Sequence, residues 1–218
     1  MARNFALDTN AAREANTGGK RITETGKYVG TIVSAFYEKN QNGTESVNFM
    51  FASDQGQEAG PLVLYTHNGV GEALHGFKVL SAIMVCTKQR ALTTQPGAVQ
   101  LYDFDAGNVV TKTKETYPEL TGKKIGFVLQ KEEYHNGAGE LRYRILIAAP
   151  FEYGTELMAN EILDKMAQPK ALAKYMEHIA ANPVRKAKPR GANTAAAQKS
   201  TQSFQSPADD FLDDSIPF

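Results

Sequence analysis

The 218 residues contain a single cysteine, Cys86, so no disulfide can form within the chain. That fits a reducing compartment and predicts a buried thiol. No stretch approaches the ~20 consecutive apolar residues a membrane-crossing helix needs, so no membrane partner is expected. The first twenty residues lack an apolar core of signal-peptide length and read as a flexible N-terminal arm, 1–20. A cytoplasmic protein is expected. The four histidines, His67, His75, His135 and His178, have no close metal-ligand spacing, and one cysteine supplies no zinc pattern. No phosphate-cradling glycine loop with its lysine occurs, nor a G-x-S-x-G elbow. No internal repeat is present. These gaps leave nothing that argues for an enzyme, a metal or a cofactor.

Net charge is also missing, with 24 basic against 24 acidic residues, but the balance is uneven along the chain. Residues 182–208 carry five cations and no acid, whereas the last ten carry four aspartates and no cation. A basic stretch followed by an acidic tip separates the tail from a balanced body.

The body reads as mainly β. "KYVGTIVSAFYEKN", from Lys27, is rich in β-branched and aromatic residues and predicts a long strand. Asn42-Gly43 is a turn signal, after which Val47, Phe49 and Phe51 alternate onto one face. A second turn, "DQGQEAG", leads to the strand "PLVLYTH". Helical spacing then takes over at Val70, Ala73, Leu74, Phe77, Leu80 and Met84, strongest from Phe77 to Thr87. "AVQLYDFDAGNVVTK" predicts an accessory hairpin about Ala106-Gly107. A clearer hairpin has strands near Lys124–Lys131 and Leu141–Ala148. From Thr155 the pattern is helical, with Met158, Ile162 and Met166 on one stripe and Leu172, Tyr175, Met176 and Ile179 continuing it beyond Pro169, which should break or kink the helix. Three strands, a helix and two more strands is the element order of an OB-fold, a five-stranded barrel. The expected division is an OB-fold-like domain at 21–152, a helical extension at 153–181, a disordered basic linker at 182–208 and an acidic tip at 209–218.

Several cations lie beside aromatic residues: Lys27 next to Tyr28, Tyr37 near Lys39, Lys131 near Tyr134, and Arg142 and Arg144 around Tyr143. Proteins that hold single-stranded nucleic acid need both types, because cations track phosphates while flat rings accept unstacked bases. OB-folds bind oligonucleotides on strands 2 and 3 and through the loops joining strands 1–2 and 4–5. Here those loops are Glu38–Glu45 and Glu133–Glu140. The candidate binding residues are therefore Lys27, Tyr37, Lys39, Lys88, Arg90, Lys131, Tyr134, Arg142 and Arg144. On a strand, Tyr143 shares a face with Leu141, Ile145 and Ile147, which equally suits a core position with the arginines as a solvated face. Glu132 and Glu133 point to opposite faces and read as solvent-facing charges, not as a catalytic pair.

The chain ends "DDFLDDSIPF". A tail carried for solubility explains the aspartates but not the apolar end. The terminal "DDSIPF" resembles the C-terminal tip of bacterial single-stranded DNA-binding proteins, with Asp213, Asp214, Ile216, Pro217 and Phe218 matching and Ser215 standing where that family usually has another aspartate. Asp209 and Asp210 extend the acidic run. The blocks "ETGKYVGTIVSAFY" and "GKKIGFVLQKEEYHNGAGELRYRI" are similar to phage-encoded single-stranded DNA-binding proteins. The resemblance implies a non-enzymatic protein that coats single-stranded DNA in replication, recombination or repair. It further implies partner enzymes such as helicases, exonucleases and polymerase accessory subunits, docked through the tip, and homo-oligomers remain possible. Phe218 would fill an apolar pocket, Pro217 would limit the conformations lost on docking, and the aspartates would steer the tip toward basic surfaces. Two rivals are a strand-annealing recombination protein and a nuclease or nuclease inhibitor that engages host factors through the tip.

Overall fold

The computed structural model describes residues 21–103 and 107–187. The arm 1–20, most of the linker and the whole tip (Asp209, Asp210, Asp213, Asp214, Ile216, Pro217 and Phe218) lie outside the described residues. The described chain is mainly β. Its strands are β1 (Gly26–Lys39), β2 (Glu45–Ser53), β3 (Glu58–His67), β4 (Gln95–Asp103), β5 (Asn108–Thr116), β6 (Lys124–His135), β7 (Leu141–Phe151) and β8 (Val184–Lys186). Its helices are α1 (His75–Cys86), α2 (Ala159–Leu163) and α3 (Ala171–Ala181).

The long β1 organises the sheet because it is long enough to serve two partners. Its first part, Gly26–Thr31, pairs antiparallel with Lys124–Leu129 of β6. The rest, from Gly30 to Lys39, pairs antiparallel with β2, with a bulge between Ile32 and Ser34. β3 follows β2, β7 follows β6, and the β4–β5 hairpin is joined to β1 through Phe36 and Thr116. All these ladders are antiparallel. The expected five-stranded barrel is not seen as a closed sheet: β3 and β7 approach one another, but no hydrogen-bonded ladder joins them among the described residues.

Three turns share one construction, Asn-x-x-Gly. The side-chain oxygens of Asn40, Asn68 and Asn136 each accept two backbone N–H groups, two and four residues ahead, at 2.9–3.1 Å. The glycines that complete these turns, Gly43, Gly71 and Gly139, have φ between 78° and 86°, a region in which a side chain is strained.

Burial fixes two apolar layers. In the first, Val79, Ala82, Ile83 and Cys86 of α1 cover Ile32, Phe49, Phe51, Leu62, Phe127 and Leu129 of the sheet. The buried face of α1 is Val79, Leu80, Ala82, Ile83 and Cys86. The expected stripe is thus rotated: Val70 and Phe77 are exposed, because the helix begins only at His75 and turns its later residues inward. Burial, first, and then the charge of Glu152 push the Cys86 thiol up to about 12, so it is neutral at ordinary pH. The second layer lies on the opposite side of β6 and β7, where Leu172 and Ile179 of α3 meet Val128, Ala149 and Phe151. Gly126 makes room there, since a Cβ at this position would fall 2.0 Å from the Phe151 ring.

The C-terminal helical stretch breaks earlier than Pro169, after Leu163. Glu161 ties the two pieces together. It is 2% exposed, and its carboxylate accepts the N–H of Met158 (2.9 Å) with one oxygen and those of Lys170 (2.7 Å) and Ala171 (2.9 Å) with the other. These are N–H groups that helix starts leave without partners. Burial alone would raise the Glu161 pKa, but the three backbone donors together with the Lys170 charge outweigh it and hold it below the ordinary carboxylate value. A depressed pKa stabilises the fold above the unfolded-state value and loses that contribution as pH falls through the folded value. Acidification below about pH 4.3, the ordinary glutamate value, should therefore loosen α2 and α3 selectively. Hydrogen exchange at Met158, Lys170 and Ala171 should show this in the parent, while Glu161→Gln should exchange faster at neutral pH and lose the acid dependence.

Residues 182–187, which composition assigns to the disordered linker, instead extend the sheet. Val184, Arg185 and Lys186 pair in parallel with Lys131, Glu132 and Glu133 of β6.

Candidate nucleic-acid interface

The expected binding residues occupy two separate places. Tyr37 and Lys39 stand at the C-terminal end of β1, whereas Lys131 and Tyr134 lie on β6 beyond the point where β1 begins, since Gly26 is paired with Leu129. The two loops taken to flank one face therefore sit at opposite ends of β1. Lys27, Lys88 and Arg90 join neither place as a cluster. Lys27 is paired with Glu156 at 2.5 Å and Lys88 with Glu152 at 3.0 Å, so both staple the turn after β7 to the body; Arg90 is exposed after α1.

The first place is an open groove of about 600 Å³ on the sheet surface of β1, β2 and β3, walled by β5. Strand alternation sends Leu62 and Leu64 into the core, so Val63 and Tyr65 face the groove. Tyr65 is 47% exposed, an open ring on the outer face of β3. Across it, Lys114 of β5 pairs with Glu38 at 2.7 Å, and Glu38 also accepts the Asn48 amide at 3.3 Å. Lys39 pairs with Glu45 at 3.4 Å. Burial, and then the Glu45 charge, raise the Tyr37 phenol above its ordinary value, so it remains a neutral hydrogen-bonding ring. Two lysines and two glutamates, Glu38 and Glu115, line the groove. Its surface is thus aromatic and hydrogen-bonding without a net positive charge, suited to bases more than to phosphates.

The second place is the β6–β7 hairpin. Register puts Glu132 opposite Arg144 and Tyr134 opposite Arg142 on one face, with Lys131, Glu133 and Tyr143 on the other. A cation lies over an aromatic ring on each face: Arg144 is 5.0 Å from the centroid of Tyr134, and Lys131 is 5.1 Å from that of Tyr143. Tyr143 is 52% exposed, which decides against a core position. Glu132 departs from the expected solvent-facing role: it is buried, at 3% exposure, and pairs with Arg144 and with Arg185. Arg142 pairs with Glu140 and Lys131 with Glu24, at 2.6 and 3.3 Å. Each of these hairpin cations is therefore paired with a carboxylate, and for Arg144 that carboxylate is buried.

Tyr65, Lys114 and Arg185 are absent from the residues singled out by sequence. Alternation within "PLVLYTH" carries the signal for Tyr65. Lys114 and Arg185 carry none, because each meets its partner across a sequence gap longer than fifty residues. Among the described residues no group of three or more His, Cys, Asp or Glu side chains is arranged to hold a metal ion, and no helix is long and apolar enough to cross a membrane. The sequence matches no protein-family model and no curated protein.

Proposed function

We propose that this chain is a non-enzymatic single-stranded DNA-binding protein that coats DNA in replication, recombination or repair and engages partner enzymes through its acidic tip. The observation that carries the reading is the juxtaposition of tyrosine rings and cations at two places on one sheet: Tyr37 and Tyr65 line a groove with Lys39 and Lys114, and on the hairpin Lys131 lies over Tyr143 and Arg144 over Tyr134. Rings stack on unstacked bases whatever their identity, and cations track the backbone, so the combination favours a single strand over a duplex whose bases are already stacked. In this reading β1, β2, β3, β6 and β7 are the five strands of an OB-type barrel left open between β3 and β7. The groove then corresponds to the strand 2–3 face on which such folds take oligonucleotides. The resemblance of "DDSIPF" to the tips of bacterial single-stranded DNA-binding proteins supports the same function from the other end of the chain.

A salt-titrated comparison of the full chain on single- and double-stranded DNA tests the proposal. Tighter binding of the single strand is expected, with log affinity falling against log salt by about 0.7 per phosphate contacted. Equal affinity for both forms, or none for either, overturns it.

A further inference from the structure

We propose that β8, at the start of the segment that composition assigns to the linker, forms part of the DNA-binding surface, and that Arg185 and Arg144 together make a phosphate site there. The proposal rests on the reading above and adds a site to it.

The parallel register sets Arg185 beside Glu132, and the antiparallel register sets Arg144 on its other side, so both guanidiniums stand on one face of three adjacent strands. Arg144 Nε donates to Glu132 Oε2 at 2.6 Å, and Arg185 Nε lies 3.4 Å from Oε1. One buried carboxylate thus serves two guanidiniums. The Glu132 side chain is 5% exposed, but those of Arg144 and Arg185 are 46% and 48% exposed. The triad keeps one positive charge, and each guanidinium has five N–H donors, more than one shared carboxylate can accept. Those spare donors face solvent in the fork geometry that suits a phosphate. The half-buried Tyr134 ring lies under Arg144 on the same face, a second contact that helps to place this guanidinium.

Residues 182–187 have no apolar period to hold them to the body; hydrogen bonds to their backbone do. Ala187 N–H donates to Glu133 O at 2.8 Å, the Gln130 side chain donates to Asn182 O at 2.8 Å, and the Thr25 hydroxyl donates to Pro183 O. Thr25 Oγ1 in turn accepts the Lys131 N–H at 2.8 Å, continuing the edge of β6 that β1 leaves at Gly26. β8 therefore occupies the place a longer β1 would have filled, and its side chains are exposed. Glu132 is the positioning residue of the site: its burial fixes where the two arginines stand.

The test uses the full-length chain and a long oligothymidylate, titrated with salt. Arg185→Gln leaves Glu132 paired with Arg144, so the fold should hold. It should weaken binding roughly tenfold at low salt, as expected for a charged hydrogen bond, and reduce the salt slope by about 0.7–1. Ala187→Pro removes the N–H that anchors β8 and changes no charge; it should reproduce most of that loss. An Arg185→Gln variant that binds like the parent overturns the site. A full loss in Arg185→Gln with none in Ala187→Pro also overturns it, because the linker charge then acts without a docked strand. A parent that fails to bind single-stranded DNA would instead refute the functional reading itself.

Discussion

Phe127→Ala should lower the stability of the chain by about 3–5 kcal/mol, the range for truncating a fully buried phenylalanine. Phe127 is 0% exposed, and its ring packs edge-on against Phe51 at 5.1 Å and Phe49 at 6.3 Å. The three rings bridge β2 and β6, which do not pair with each other; β1 lies between them. Removing the central ring opens a cavity at the junction on which both candidate binding places depend. Such a loss is comparable to the whole stability of many domains, about 5–15 kcal/mol, so the variant should approach the threshold of folding. Urea denaturation gives the measurement: the midpoint should fall sharply with the slope retained. A midpoint shift equivalent to less than about 1 kcal/mol would mean that this aromatic junction is not closely packed. Phe127→Leu, which keeps most of the apolar volume, should lose much less.

The same residues show why part of the architecture is legible in the sequence. β1, β2 and the β6–β7 hairpin are long, rich in β-branched and aromatic residues and bounded by turn signals, so local pattern suffices to place them. α1 is legible as a helix but not in its orientation. Val70 and Phe77 match the helical period, yet the chain enters the helix at His75 and the sheet accepts Val79, Ile83 and Cys86 instead. Glu132 fails for a different reason. From its neighbours it is an ordinary strand carboxylate beside a loop; its burial comes from Arg144 twelve residues away and Arg185 fifty-three residues away, which only the folded topology brings together. β8 has the composition of a linker, and three residues with exposed side chains hold their place by backbone pairing that leaves no hydrophobic period to read. The separation of Tyr37 from Tyr134 likewise follows from β1 serving two partners in succession. Each loop is legible alone, but the distance between them is not.

Deleting Asp209–Phe218 should abolish docking of a replication or repair enzyme while the body stays folded. Among the described residues every buried core residue lies between Ile22 and Ile179, so the deletion removes none of them. On the proposed reading, the same deletion should leave single-stranded DNA binding intact or modestly tighter. Four aspartates and a terminal carboxylate joined to the body by a chain can reach the cations of the hairpin and compete with phosphates for them. That competition should fade as salt rises, because exposed charges are screened over about 8 Å at physiological ionic strength. Phe218→Ala separates the two effects. It keeps every carboxylate, so competition with DNA persists, but it removes the apolar anchor that a pocket on the partner would bury. Full burial of such a side chain contributes about 1.5–3 kcal/mol, which corresponds to a loss of docking affinity of roughly ten- to a hundredfold. Fluorescence anisotropy of the full-length protein against a candidate helicase or exonuclease, run beside a DNA titration of the same variants, reads both quantities. Unaltered partner affinity in Phe218→Ala would overturn the anchor, and partner affinity that survives the whole deletion would move the docking surface off the tip.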